Sequence, residues 1–187
     1  MATYFHCQRV AGISRHIAFC LELTSAEQTE VVRSASLHDL GKINIPREIL
    51  RYPGNLRRED WDIIRRHPEE GAAMARGFPK QITDGIISHH EHFDGSGYPG
   101  GLKSENIPLI GRIIAIADAF DAMLTPRVYH IKTCSVEEAA IEIVGCAGKQ
   151  FDPYIVSKII RSPTNQIYES LFLTYVPGGK VKKPALY

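Results

Sequence analysis

PLIGRIIAIADAFDAML, residues 108–124, decides the fold predicted for this chain of 187 residues. The stretch is apolar on nearly every side, so we expect it to form a helix through the middle of the domain. Its charged residues are Arg112, Asp118 and Asp121, and the two acids lie three positions apart, on one face. A buried carboxylate needs a cation or several donors. Because Arg112 has a poor angular match to Asp118, a metal ion is the more economical partner.

The remaining sequence is helical in pattern almost throughout. Apolar residues recur with helical spacing in a first helix, at Val10, Ile13, Ile17 and Leu21. Ser25 with Gln28 predicts a capping box at the start of a second helix, and a last helix is expected from Pro153 to Ile160. Before residue 165 there is no alternating strand pattern of any length. We therefore predict an all-α helical bundle over residues 1–161, followed by a short irregular C-terminal extension over 162–187.

Composition narrows the class of protein. Hydrophobic residues make up 44% and charged residues 23%, which is ordinary for a soluble globular domain. The sequence contains no run long enough for a membrane span and no signal-peptide pattern, so we expect a cytoplasmic protein. A formal charge of +1 gives no reason to expect a long nucleic-acid partner, although a local basic pocket could hold a small phosphorylated ligand. The four cysteines form no CxxC pair and are expected to be free thiols.

Histidines and acids recur along the chain in a pattern typical of metal sites. They are the pair His38–Asp39 in HDLGK, His67, the pair His89–His90 in SHHEHFDGSGYPGG (88–101), and Asp118. Imidazole nitrogens combined with carboxylate oxygens suit iron, manganese, zinc or nickel. Six such groups exceed what one tetrahedral ion needs, whereas a bridging carboxylate lets two ions share them. The alternative is a buried polar network without metal, in which every partner would have to be satisfied.

The ordered set H-D-x-G-K, a later His, HHE-x-x-DG-x-GYP-x-G and a final D-x-x-D helix resembles the HD-GYP subgroup of the HD-domain phosphohydrolases. The resemblance covers roughly residues 5–160. It implies an all-α HD-domain bundle with a binuclear metal centre, often of iron or manganese. It also implies hydrolysis of the bacterial second messenger cyclic di-GMP.

Carried over position by position, the resemblance assigns roles to individual residues. The implied metal ligands are His6, His38, Asp39, His67, His89, His90 and Asp118, with Asp39 as the bridging carboxylate. The implied catalytic residues are Asp39, Lys42 and Asp121. The implied substrate-binding residues are Lys42, Gly97, Tyr98 and Arg127. Ala2 stands where some members carry a glutamate that holds a third metal, so we expect two ions. His130 stands where a basic residue is common, which weakens the expected grip on phosphate there.

The implied reaction is attack on phosphorus by a hydroxide that bridges the two metal ions, giving linear pGpG, GMP or both. Two rival interpretations stay open at this point. One is a catalytically silent module that binds a cyclic dinucleotide or docks a diguanylate cyclase through the GYP loop. The other is a phosphodiesterase for another cyclic dinucleotide, such as cyclic GMP-AMP. The native metal, the general acid for the leaving group and a homodimeric state are left open too. The chain begins just before His6, as either a stand-alone protein or an excised catalytic domain.

Overall fold

The computed structural model describes residues 2–125 and 134–161, with side chains from residue 4 onward. This part of the chain is helical and contains no strand beyond one isolated bridge between Ala147 and Phe151, which confirms the all-α prediction. None of its helices combines the length and apolar character needed to cross a bilayer. The predicted extension over 162–187 lies outside the described residues. The α-helices are α1 (Ala2–Cys20), α2 (Ser25–Leu37), α3 (Arg47–Leu50), α4 (Arg58–Ile64), α5 (His67–Met74), α6 (Lys80–Ser88), α7 (Leu109–Leu124), α8 (Val136–Gly145) and α9 (Pro153–Ile160).

Helix α7 lies at the centre of the bundle, as its composition predicts. It packs against α1, α2, α6 and α8, and Ile113, Ile114 and Ala117 on its surface are completely buried. Burying an isoleucine side chain contributes about 1.5–3 kcal/mol, so this helix supplies a large share of the core free energy. Three of the four apolar positions predicted for the first helix also join this core, namely Val10, Ile13 and Ile17.

The N-cap of the second helix lies one residue earlier than predicted. Thr24, not Ser25, is the N-cap residue, and its hydroxyl accepts from the backbone N–H of Glu27 at 3.3 Å. The Glu27 carboxylate accepts in return from the backbone N–H of Thr24 at 2.8 Å. The Ser25–Gln28 capping box was therefore wrong by one residue. Both overlapping pairs match the same sequence pattern, and the charged Glu27 gains more from the positive end of the helix than Gln28 would.

A close backbone contact fixes the segment that follows α2. Residues Leu40–Asn44 form a 3-10 turn that packs directly on α5. A Cβ atom on Gly41 would lie 2.1 Å from the carbonyl oxygen of His67 and 2.7 Å from the backbone nitrogen of Gly71. Only glycine fits at this distance. The contact holds Asp39, just before the turn, next to His67 at the start of α5.

Candidate metal centre

Buried histidines at helix ends form the centre of the site. His38 and His89 are the C-cap residues of α2 and α6, and His67 is the first residue of α5, three residues after α4 ends at Ile64. All three side chains are at most 1% exposed. Since these helix ends meet at one place, residues 22 to 51 positions apart in the sequence share a single cluster.

Each of these three histidines is oriented by a carbonyl of the helix that precedes it. The Nδ1 atoms of His38, His67 and His89 lie 2.7, 2.7 and 2.6 Å from the carbonyl oxygens of Ala35, Ile64 and Ile86. In every case the carbonyl is three residues earlier, among the last carbonyls of a helix, which lack a partner within the helix. A carbonyl can only accept, so Nδ1 carries the proton. The Nε2 lone pair of each ring is left to face the cluster.

These Nε2 lone pairs converge without a proton between them. The Nε2 atoms of His67 and His89 lie 3.3 Å apart, and both rings have already committed their N–H to a carbonyl. The Nε2 of His38 and the Oδ1 of Asp39 are buried and have no hydrogen-bond partner among the described residues. Lone pairs left unpaired in a buried site are destabilising unless a cation accepts them. The donor set therefore fits a transition-metal site.

Asp39 lies between the histidines with one oxygen toward each side. Its Oδ1 is 3.6 Å from Nε2 of His38 and 3.5 Å from Nε2 of His67. Its Oδ2 is 2.7 Å from Nζ of Lys42 and 3.7 Å from Nε2 of His6. Burial by itself raises the pKa of Asp39, but electrostatic interactions with the neighbouring His38 ring and the Lys42 ammonium group outweigh it and hold the pKa below its usual range. The residue is thus a carboxylate, placed where a bridging ligand is expected.

On the other side of the cluster, His6 links both acids of α7. Its Nε2 lies 3.1 Å from Oδ1 of Asp118, and its Nδ1 lies 2.7 Å from Oδ2 of Asp121. Asp121 is also held by Arg9, whose Nε and second guanidinium nitrogen donate at 2.5 and 2.9 Å. The expectation that a metal compensates the acidic face was therefore wrong for Asp121. The guanidinium of Arg9 is the cation that compensates Asp121. Asp121 contacts Nδ1 of His6, on the opposite side of the ring from Asp118.

The protonation states of the histidines differ with their surroundings. Burial lowers the pKa of His67 and of His89, and it lowers the pKa of His90 to about 3, so these rings are neutral. For His6 burial also acts downward, but the hydrogen bonds to Asp118 and Asp121 raise its pKa to about 9. Neutral imidazole is the form that binds metals. A cation at Nε2 of His6 must therefore replace the proton that this nitrogen directs at Asp118.

The possible ligand atoms form overlapping groups. Two of them correspond to the predicted ligands, with all ligand atoms of a group within 4.8 Å of one another: His67–His89–His90 and His6–His38–Asp118. The structure thus brings together the histidines and Asp118 that the sequence singled out. A third group joins Cys7 to His38 and Asp39. Cys7 was expected only to be a free thiol, and burial raises the pKa of its thiol to about 12, which disfavours the thiolate that metals require.

The GYP loop reaches the cluster through Tyr98. The Tyr98 ring stacks on the His90 ring with centroids 4.8 Å apart and an angle of 22° between planes. The guanidinium of Arg65 lies 5.5 Å from the centre of the Tyr98 ring. Because Tyr98 rests on His90, the loop and one expected ligand are positioned together.

Glu91, which was not among the predicted site residues, anchors this loop. Its carboxylate is 3% exposed and accepts from the backbone nitrogens of Gly100 at 2.6 Å and Leu102 at 3.0 Å. Gly97 has no space for a side chain, because a Cβ atom would lie 2.2 Å from the backbone nitrogen of His92. This close approach explains Gly97 structurally, whereas its expected contact with substrate stays a prediction. Arg127 and His130 lie outside the described residues.

The comparison with protein families agrees with this geometry. The model of a family described as "HD domain" matches residues 3–155, which include every residue of the cluster. The chain belongs to the HD-domain family. With the cluster and residues 97–99 intact, it is an HD domain of the HD-GYP type.

Curated relatives carry related names. The HD domain is 38% identical over 165 residues to a protein from Thermotoga maritima named "Cyclic di-GMP phosphodiesterase", covering 86% of this chain and 45% of that protein. It is 35% identical over 158 residues to "Cyclic di-GMP phosphodiesterase response regulator RpfG" of Xanthomonas campestris, covering 82% and 42%. It is also 35% identical over 160 residues to "3'3'-cGAMP-specific phosphodiesterase 2" of Vibrio cholerae, covering 83% and 30%. The chain thus spans less than half the length of these relatives.

Solved structures share the fold. A cyclic GMP-AMP specific phosphodiesterase of Vibrio cholerae (V-cGAP3) matches with a TM-score of 0.66 and 26% identity, over 89% of this chain and 45% of that one. An HDG"Y"P protein from Bdellovibrio bacteriovorus matches with a TM-score of 0.66 at 23% identity, over 86% and 53%, which supports the fold alone. The all-α architecture predicted from the sequence is the HD-domain fold.

Proposed function

We propose that this HD domain is a metal-dependent phosphodiesterase that hydrolyses cyclic di-GMP. The observation that carries the proposal is the convergence of unprotonated Nε2 atoms around the unpartnered Oδ1 of Asp39. A structural histidine network would use its second nitrogens as hydrogen-bond donors or acceptors, and here they point at one another instead. The names of the relatives from Thermotoga maritima and Xanthomonas campestris support the substrate.

The proposed cofactor is a pair of divalent transition-metal ions, iron or manganese. The residues that would hold them are His6, His38, Asp39, His67, His89, His90 and Asp118. Asp39 is the proposed bridging residue because its Oδ1 lies 3.5 Å from Nε2 of His67, in one group of possible ligands, while its Oδ2 lies 3.7 Å from Nε2 of His6, in the other. When bound, such ions lower the pKa of water and neutralise charge on a phosphoryl group.

Lys42 is the residue of the chain that we expect to contact the scissile phosphate. Its side chain is 30% exposed, and its ammonium group is held 2.7 Å from Asp39, at the open side of the cluster. From there it can offset the negative charge that develops on the non-bridging phosphate oxygens. Arg127 is the proposed second phosphate contact. Asp121 is proposed to act by holding the ring of His6, since it faces that ring and Arg9.

Cyclic GMP-AMP is the second candidate substrate, and a specific observation favours it. One relative at 35% identity and one structural neighbour at 26% identity are both named for that dinucleotide. A silent binding module is the remaining alternative, and the complete set of converging ligands argues against it. Docking of a diguanylate cyclase through the GYP loop, a homodimer and a cytoplasmic location stay predictions of the sequence.

Anaerobic purification followed by metal analysis and chromatography of the products tests the proposal. Two ions per chain and conversion of cyclic di-GMP to pGpG or GMP are the expected result. Lys42→Ala should retain the metal and lose turnover at least about a hundredfold, as expected for a lost electrostatic contact to the transition state. Lys80→Ala is the matched control, because Lys80 is exposed and pairs with Asp84 on α6. Full metal content without cleavage of any cyclic dinucleotide would refute the enzyme and favour the binding module.

A further inference from the structure

A pocket of about 300 Å³ opens beside the metal centre, on the side of Asp39 and Lys42. It is enclosed by α1, α2, the 3-10 turn at Leu40–Asn44 and α3, and none of the predicted ligands other than Asp39 lines it. Its volume lies at the lower end of the range of about 300–1,000 Å³ that small-molecule sites occupy. A group attached to a phosphate on Lys42 would enter this pocket directly.

Away from Asp39 and Lys42, the walls and rim of the pocket are mostly apolar. Leu37 and Leu40 form part of its wall, and Tyr4, Ile43 and Leu50 stand at its opening. The last three side chains are 64, 73 and 41% exposed. One exposed apolar residue needs no explanation, but several around a single concavity next to a charged centre indicate a binding surface.

We propose that this pocket is a nucleobase subsite in which the Tyr4 ring stacks on one purine of the cyclic dinucleotide. The proposal rests on the proposed function, since it takes the phosphate to lie at Lys42. Aromatic rings bind bases through their faces, and leucine and isoleucine side chains cover the edges of a flat ring. A cyclic dinucleotide carries a nucleoside on either side of each phosphate. A phosphate at Lys42 therefore places one base next to this pocket.

The chemistry of the pocket also indicates how selective it is. Stacking tolerates any base, because every base has a π face. The hydroxyl of Ser36, a residue that lines the pocket, donates to the carbonyl oxygen of Val32 at 2.8 Å, so its proton is already in a hydrogen bond. The subsite should therefore strengthen binding of guanine and adenine by similar factors.

Equilibrium binding of fluorescent cyclic di-GMP and cyclic GMP-AMP to the metal-loaded protein tests the subsite, with cleavage measured in parallel. Tyr4→Ala should weaken binding of both ligands about tenfold or more, as expected for a lost stacking contact. Tyr4→Phe keeps the ring and should bind like the wild type. Phe5→Ala is the matched control, because Phe5 lies beside Tyr4 with ring centroids 5.6 Å apart, is 50% exposed and does not line the pocket.

The outcomes separate this inference from the proposed function. If the wild type cleaves cyclic di-GMP while Tyr4→Ala binds both ligands as tightly as the wild type, the proposed subsite is refuted and the proposed phosphodiesterase activity is supported. If the wild type binds the ligands without cleaving them and Tyr4→Ala loses affinity, the subsite is supported and the phosphodiesterase activity is refuted. Equal losses in Tyr4→Ala and Phe5→Ala, or no binding to the wild type, overturn the subsite.

Discussion

Replacing Arg9 with methionine should destabilise the metal-free protein and weaken metal binding together. Arg9 holds Asp121 through two nitrogen–oxygen contacts of 2.5 and 2.9 Å, and the two side chains are only 13 and 3% exposed. Methionine preserves much of the length and apolar stem of arginine but removes the charge. Asp121 would then keep one strong partner, the Nδ1 of His6 at 2.7 Å.

The size of the effect follows from the burial of the pair. Removing one partner of a buried ion pair typically costs about 3–5 kcal/mol, because the remaining charge is left uncompensated. Protonated His6 still faces Asp121, so we expect the lower end, about 3 kcal/mol. For a domain of this length the melting temperature should fall by about 6–12 °C. A partner that orients a metal-binding histidine is worth about 10–100-fold in metal affinity, and because Arg9 acts through Asp121 we expect about tenfold.

Thermal and urea denaturation of the metal-free protein, with metal titration of the same samples, would measure both effects. Arg15→Met is the control, since Arg15 lies on the exposed side of the same helix. Asp121→Asn and the double variant complete a mutant cycle, in which the double variant should lose less stability than the sum of the two single variants. A loss for Arg9→Met no larger than for Arg15→Met would refute the assignment of Arg9 as the cation for Asp121.

Three further predictions concern the metal site and its supports. Gly41→Ala should lower the free energy of unfolding by about 3 kcal/mol or more, because the added Cβ would meet backbone atoms of His67. Gly77→Ala is the control, since no atom lies within 4 Å of its added Cβ, and its free energy of unfolding should stay within about 0.5 kcal/mol of the wild type. Urea denaturation measures both. Glu91→Gln can accept only one of the two backbone hydrogen bonds to the GYP loop, so amide exchange over residues 97–102 should accelerate while residues in α9 keep their protection. Asp39→Ala should abolish metal retention and turnover while helix content by circular dichroism stays near normal; retained turnover would exclude its bridging role.

The fold was largely predictable because its strongest determinants are local. The apolar run of α7 and the segment Pro153–Ile160 each specify a helix through neighbouring residues, and the structure has both at the expected positions. The capping box at Thr24 was missed by one residue because two overlapping pairs satisfy the same local pattern. Local patterns therefore predicted that a helix is present more accurately than they predicted the residue at which it begins.

The site was predictable only in part, for a related reason. The pairs His38–Asp39 and His89–His90 are visible as sequence motifs, whereas the partners that orient the ligands are far away along the chain. Arg9 and Asp121 are 112 residues apart, and no periodicity or motif links them. Glu91 follows the histidines directly, yet its buried contacts to Gly100 and Leu102 depend on the path of the loop. The spacing of an arginine three residues after His6, on the same face of α1, was the one available signal.

The bonds from Nδ1 to a carbonyl three residues earlier make each of His38, His67 and His89, the proposed ligands, a small self-contained unit. Within four residues the chain supplies both the imidazole and the group that fixes its tautomer. Rotating such a ring away from the cluster would also break a hydrogen bond at a helix end. The orientation of the ring and the stability of the helix end are therefore coupled. The centre then assembles when helices with already oriented imidazole rings pack together. Most of the conformational entropy of these rings is therefore lost during folding and not during metal binding.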